Sequence, residues 1–260
     1  MTSAEAAAAR EAAEKTGVTI RELRDIHEFQ DVYQLFDDIW QPDPRNAPMP
    51  LELMISFAHA GGYVAGAYEG DRLVGASVGF RAADRTLHSH VTGAAIGRGI
   101  GYALKLHQRA WCLERELVRI TWTFDPLVRR NARFNLTKLG ARPEHYLEDF
   151  YGVMADAINE GDPSDRLLAI WRLTEPPPEP AAGPYTRGVE VDGERPVIGR
   201  TDGPVVLVGT PYDIETLRRE DPEAARAWRL VVREVLGGLM GSGARVTGFT
   251  DGGEYVVETG

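Results

Sequence analysis

Two rhythms of apolar and polar residues organise this chain. Val18-Thr19-Ile20-Arg21-Glu22-Leu23 alternates with a period of two, which predicts a strand. From His27 to Trp40 the apolar residues Phe29, Val32, Leu35, Phe36 and Ile39 fall on one helical face. Pro42, Pro44 and Pro48 interrupt the pattern, and Leu51 to His59 reads as a second helix. Tyr63–Tyr68 and Leu73–Phe80 are apolar runs joined by Glu69-Gly70-Asp71-Arg72, a hairpin signal. A third run, Leu87–Ala95, leads into a helix from Gly99 to about Glu116, with Leu104, His107, Ala110, Trp111 and Glu114 at helical spacing. Val118–Phe124 alternates again, and Asn131–Leu139 is a short helix closed by Gly140. Strands near Tyr146–Tyr151 and Leu167–Leu173 complete a mixed α/β layout around one sheet, over residues 18–173.

The flanks read differently. Residues 1–17 are rich in Ala and Glu and predict a frayed helical extension. Residues 174–188 hold Pro176-Pro177-Pro178, Pro180 and Pro184, a stiff extended connector. Residues 189–260 form a small C-terminal α/β module: a strand at Val205–Val208, a helix over Asp221–Leu239, and strands at Val246–Phe249 and Tyr255–Val257. Asp221-Pro222-Glu223 is a helix start, with an N-cap followed by proline at the first position. Ala224, Ala227, Trp228, Val231 and Val235 make an apolar stripe that serves either core packing or a homodimer interface.

Composition narrows the function. The formal net charge of −10 argues against a nucleic-acid binder, which needs a basic surface. One cysteine, Cys112, excludes an intramolecular disulfide and a multi-cysteine metal site, and its helical context predicts a buried packing residue. No His/Asp/Glu cluster has metal-ligand spacing, so no metal is expected. With no apolar run of membrane-spanning length and no apolar signal-peptide core, the expectation is a cytoplasmic protein without a membrane partner.

The most telling stretch is Gly97-Arg98-Gly99-Ile100-Gly101, which joins a strand to an amphipathic helix. Glycines let a bound group approach the backbone, and a helix start offers unpaired N–H groups to an anion such as a diphosphate. A dinucleotide fingerprint would need glycine at position 102 or 104, where Tyr102 and Leu104 stand. The Gly-Lys-Ser/Thr of a P-loop is absent too. What remains is the acyl-CoA loop, Arg-Gly-x-Gly and then a small residue, matched by Arg98-Gly99-Ile100-Gly101-Tyr102-Ala103 with the small residue one position late. A plain strand-to-helix turn is the competing reading.

With this loop, the element order and the Asn131-Ala132-Arg133-Phe134-Asn135-Leu136 segment, residues 18–173 resemble the GNAT superfamily of acyl-CoA-dependent N-acyltransferases. The resemblance implies a GNAT-like α/β fold, with acetyl-CoA or another acyl-CoA as co-substrate and a small-molecule amine as acceptor. It implies that Gly93, Ala94 and Ala95 lie along the pantetheine arm and that a backbone N–H near Ala94 receives the oxyanion. The amides of Gly97, Arg98, Gly99, Ile100, Gly101 and Tyr102 would then hold the diphosphate, with Arg98 adding a charge and Asn131 contacting pantetheine. Two positions depart from the family: Ile96 replaces a usual Gln or Arg, and Leu136 stands where many relatives have the tyrosine that protonates the leaving thiolate.

Acyl transfer to an amine also needs a base that titrates near neutrality. His88 and His90 precede the cofactor segment, and His90 is the first candidate for that base. Asp125, at the end of the following strand, is the candidate for orienting the amine, although Asp125-Pro126 also suits a plain turn. Arg129 and Arg130 are candidate anion contacts, and Glu148 and Asp149 further acids. The alternative to an enzyme is a non-catalytic acyl-CoA-binding or sensing module of the same fold.

Overall fold

The computed structural model describes residues 3–42, 47–152, 163–177 and 179–260; Pro44 and Pro178 lie outside them. The chain forms two compact units, Met1–Thr121 and Trp122–Gly260.

The first unit opens with helix α1 (Ser3–Lys15), strand β1 (Thr19–Glu22), and helices α2 (Ile26–Trp40) and α3 (Leu51–His59). The strands β2 (Tyr63–Glu69), β3 (Arg72–Ala82) and β4 (Thr86–Ala94) follow, then α4 (Ile100–Glu114) and β5 (Arg119–Phe124). The order is β1-β2-β3-β4-β5, antiparallel up to β4. The β4–β5 pair is parallel, because α4 carries the chain back across the sheet.

Local chemistry explains these elements. Asp25 and Glu28 close a capping box at the start of α2, which stabilises the helix by about 1 kcal/mol. Phe29, Val32 and Phe36 bury the apolar face of α2 with Met54, Val64, Ala76 and Val78. Contrary to the expected fraying, α1 docks: Ala13 is buried with Val18, Ala67, Val74, Ile100 and Leu104. Its alanine-rich face lets α1 lie close to α4. Cys112 is fully buried on α4, and desolvation pushes its thiol up to about 12.

In the second unit, α5 (Arg129–Ala132) continues into one wide turn of π-helix at Arg133–Lys138. The strands β6 (Arg142–Leu147) and β7 (Arg166–Arg172) pair antiparallel, with β7 next to the end of β5. The strand predicted at Tyr146–Tyr151 is therefore β6, which begins earlier and ends at Leu147, with a turn following. A five-stranded sheet has the order β11-β12-β10-β8-β9, built from β8 (Tyr185–Asp192), β9 (Arg195–Ile198), β10 (Val205–Gly209), β11 (Arg245–Phe249) and β12 (Glu254–Glu258). β8 and β9 lack a clear apolar alternation, so the sequence pattern does not reveal them; Tyr185, Val191, Val197 and Ile198 are exposed.

The predicted 221–239 helix is α7 (Pro222–Val232), a π-turn at Arg233–Gly237 and α8 (Gly238–Gly241), preceded by α6 (Ile214–Glu220). Asp221 caps α7 with Pro222 behind it, as the motif predicts. Trp228 and Val232 are buried on α7, and the Trp228 indole N–H donates to the Glu194 carbonyl at 2.9 Å. Of the stripe, Ala224, Trp228 and Val235 are buried, while Ala227 and Val231 are half-buried.

Candidate cofactor and catalytic site

The glycine junction lies in the first unit. Gly97 and Gly99 both adopt left-handed backbone conformations, φ 83° and 78°, which strongly favour glycine. Gly99 is the N-cap of α4. Its carbonyl accepts from the Tyr102 and Ala103 N–H groups, each at 3.1 Å. Tyr102 N–H is therefore engaged within the turn, while Ile100 and Gly101 head the helix, where N–H groups have no intrahelical acceptor. The helix dipole adds partial positive charge there. Ile100 itself is fully buried under β3, so its side chain anchors the loop.

The Arg98 guanidinium does not point free. It donates to Glu69 at the end of β2, at 2.7 Å, and Arg72 takes the other carboxylate oxygen. The two arginines hold the Glu69 carboxyl below its ordinary range. Ile96 is 82% exposed and Ala95 is exposed beside it. Gly93 is buried for a reason the sequence does not reveal: a Cβ there would lie 2.7 Å from the Trp40 ring, so the glycine makes room for the end of α2. Gly75 does the same for Ile100 and Ala94.

β4 carries a bulge. Val91 pairs with Val78 and Ser89 with Gly79, leaving His90 as the extra residue. The residue is exposed at the strand surface, and Nε2 lies 3.2 Å from the Pro48 carbonyl. A carbonyl only accepts, so Nε2 carries the hydrogen and the neutral ring keeps its lone pair on Nδ1. Desolvation lowers the His90 pKa while the Pro48 contact raises it; the net shift is downward, which favours the neutral form. His88 faces Phe80, and its Nδ1 is 3.1 Å from the Thr121 hydroxyl. Desolvation, with the nearby His90 and Lys105, pushes it down to about 4.

A polar cluster absent from the sequence reading underlies β4. Lys105 of α4 is 5% exposed and donates to Ser89 Oγ at 2.9 Å and to Gln108 Oε1 at 3.4 Å. Gln108 Nε2 donates to Ser77 Oγ at 3.2 Å, and Ser77 meets the Thr92 hydroxyl at 2.8 Å. Desolvation brings the Lys105 amine down to about 7. Each of these residues reads as an ordinary polar position in the sequence; only the fold gathers them.

Asp125 and Asn131 belong to the second unit. Asp125 is 7% exposed, and its carboxylate accepts from Arg229 at 2.8 and 2.9 Å, from Arg218 at 2.6 Å and from the Leu127 N–H at 2.9 Å. Arg166 lies 4.0 Å away. Burial alone would raise its pKa, but the three guanidiniums hold it well below the usual carboxylate range. Asn131 is half-buried and is the third residue of α5, not its cap; the N-cap is Val128. Leu136 is buried in the π-turn. Arg129 donates to the Thr210 carbonyl at 2.5 Å and Arg130 pairs with Glu215, so both have protein partners. Asp149 accepts from the Ser164 N–H at 3.1 Å, and Glu148 is 3.8 Å from Arg233.

Among the described residues, no group of three or more His, Cys, Asp or Glu side chains could hold a metal, and no helix is long and apolar enough to cross a membrane.

Comparison with known proteins sets these features in a fold. No family model and no curated protein matches the sequence. Among solved structures, the chain is similar to a Salmonella typhimurium protein assigned as an acetyltransferase and solved with its cofactor acetyl-CoA: TM-score 0.50, 15% identity, covering 64% of this chain and 97% of that one. It is also similar to an acetyltransferase of the GNAT family from Desulfovibrio desulfuricans (TM-score 0.49, 18% identity, 60% and 99% covered). A third match is an Escherichia coli N-acetyltransferase of a ribosomal-protein alanine (TM-score 0.49, 10% identity, 61% and 96% covered). The chain shares the mixed α/β fold of that acetyl-CoA-bound acetyltransferase, and at 15% identity the likeness concerns the fold alone. About a third of the chain lies outside it.

Proposed function

We propose that the protein is an acyl-CoA-dependent N-acyltransferase, moving an acetyl or succinyl group to the amine of a small molecule or amino acid by direct attack. The observation that carries this reading is the β4–α4 junction: two left-handed glycines deliver β4 to the head of a fifteen-residue helix, in a fold shared with an acetyl-CoA-bound protein.

On this reading the pantetheine arm lies along Gly93, Ala94 and Ala95. The diphosphate meets the backbone of residues 97–101, the Tyr102 N–H being engaged within the turn, and Arg98 exchanges Glu69 for phosphate oxygen. His90, neutral and with Nδ1 as acceptor, takes the amine proton as attack on the thioester proceeds. A backbone N–H near Ala94 stabilises the oxyanion. Asp125, sequestered by arginines, keeps the second unit's strand and helices together and leaves amine orientation to other groups.

Titration with acetyl-CoA and succinyl-CoA by calorimetry tests the cofactor, and no binding of either at millimolar ligand overturns it. Thiol release with a panel of amines tests turnover. A non-catalytic acyl-CoA sensor is the second reading. It is favoured by Leu136, a buried aliphatic residue where the family resemblance implies a thiolate-protonating tyrosine, and binding without thiol release would select it.

A further inference from the structure

We propose that the Thr92 hydroxyl is a substrate-binding donor aimed at the thioester carbonyl of the acyl-CoA, its direction fixed by the buried side chains behind it; this rests on the acyl-CoA reading above.

The argument is one of hydrogen-bond polarity. Below about pH 7 Lys105 is an ammonium, which only donates, and the Gln108 side chain turns its carbonyl oxygen toward it, at 3.4 Å. Its amide nitrogen is thereby left to donate to Ser77 Oγ at 3.2 Å. Ser77 is fully buried, so its own hydrogen needs a protein acceptor, and the Thr92 hydroxyl oxygen at 2.8 Å is the acceptor within reach. Thr92 accepts in turn, so its hydrogen is free for a ligand. The chain of donors thus runs from the interior of α4 through β3 to β4. It ends at a half-buried residue next to Gly93, where an arm lying along Gly93–Ala95 would place its acyl end. Buried polar chains of this kind are retained only when satisfied, and this one closes on its inner side while leaving one donor at its outer end.

The experiment measures dissociation constants of the full-length protein for acetyl-CoA and for CoA. Thr92→Val, which keeps the shape, is expected to weaken acetyl-CoA relative to CoA by about three- to tenfold, the worth of one hydrogen bond. Thr92→Ser should restore the wild-type ratio. Gln108→Glu is nearly isosteric and pairs with Lys105, but its carboxylate accepts from Ser77 and reverses the chain. It should lose the same ratio although the protein stays folded, which a merely structural role would not produce. An unchanged ratio in Thr92→Val or in Gln108→Glu, with CoA still bound, overturns the proposal and leaves the acyl-CoA reading standing. A wild type that binds neither ligand overturns both.

Discussion

At the scale of single residues, burial decides which titratable groups do chemistry and which hold structure. His90 sits at a bulge with a lone pair on Nδ1, so His90→Ala should lower kcat by about 100-fold while acetyl-CoA affinity stays within twofold. Because desolvation lowers its pKa, the acid limb of the rate profile should lie below pH 6.5, and a limb above that value would assign the proton to another group. Asp125 is the opposite case. Asp125→Asn leaves Arg229 and Arg218 without their shared anion and should destabilise the protein by about 3–5 kcal/mol in urea unfolding. His88 and Lys105 make stability depend on pH. The His88 pKa is pushed from 6.5 to about 4, so the unfolded chain takes up a proton first and stability falls as pH drops through that window. Lys105 titrates at about 7 instead of 10.5, so stability rises with pH between those values. Lys105→Met should flatten this upper rise in urea midpoints, and a wild-type slope in the variant would place its origin elsewhere.

At the scale of elements, the strand-to-helix junction was readable from its glycines, because left-handed backbone leaves few residue types to choose from. Gly99→Ala should cost about 1 kcal/mol, since φ 78° disfavours a side chain and Thr16 already lies 3.2 Å from the added Cβ. It should also weaken CoA binding, read by calorimetry. The helices of the first unit were legible for a related reason: α3 spans Leu51–His59 as its periodicity predicts, and α2 begins at the cap that Asp25 supplies. What the sequence concealed were contacts at long separation. Nothing local in Gly93 announces Trp40, fifty-three positions earlier, and nothing in Lys105 announces Ser89, because both depend on which face of α4 meets the sheet. The β8–β9 hairpin escaped notice as well: β9 is an exposed edge strand, and β8 beside it buries only Gly188 and Val189, so neither shows an apolar alternation.

At the scale of the whole molecule, the second unit draws its interior from both ends of its own sequence. Arg218 and Arg229 neutralise Asp125, and the Tyr255 hydroxyl donates to the Pro126 carbonyl at 2.8 Å. A chain truncated after Leu173 should therefore fail to fold stably, seen as aggregation and lost near-ultraviolet dichroism; a soluble, active fragment would refute this. In sequence the Pro-rich connector sets off a C-terminal module, and these long-range bonds tie that module to the strand and helix before it within one unit. Saturating acetyl-CoA at about one hundred times its dissociation constant should raise the unfolding free energy by about 2.7 kcal/mol. The solitary thiol of Cys112, shut inside α4, supplies a built-in reporter for such work. Chromogenic disulfides that register CoA-SH as it leaves will meet no competing sulfur in the native protein. The same reagents, given hours instead of minutes, will clock the rare openings that bring this helix into water.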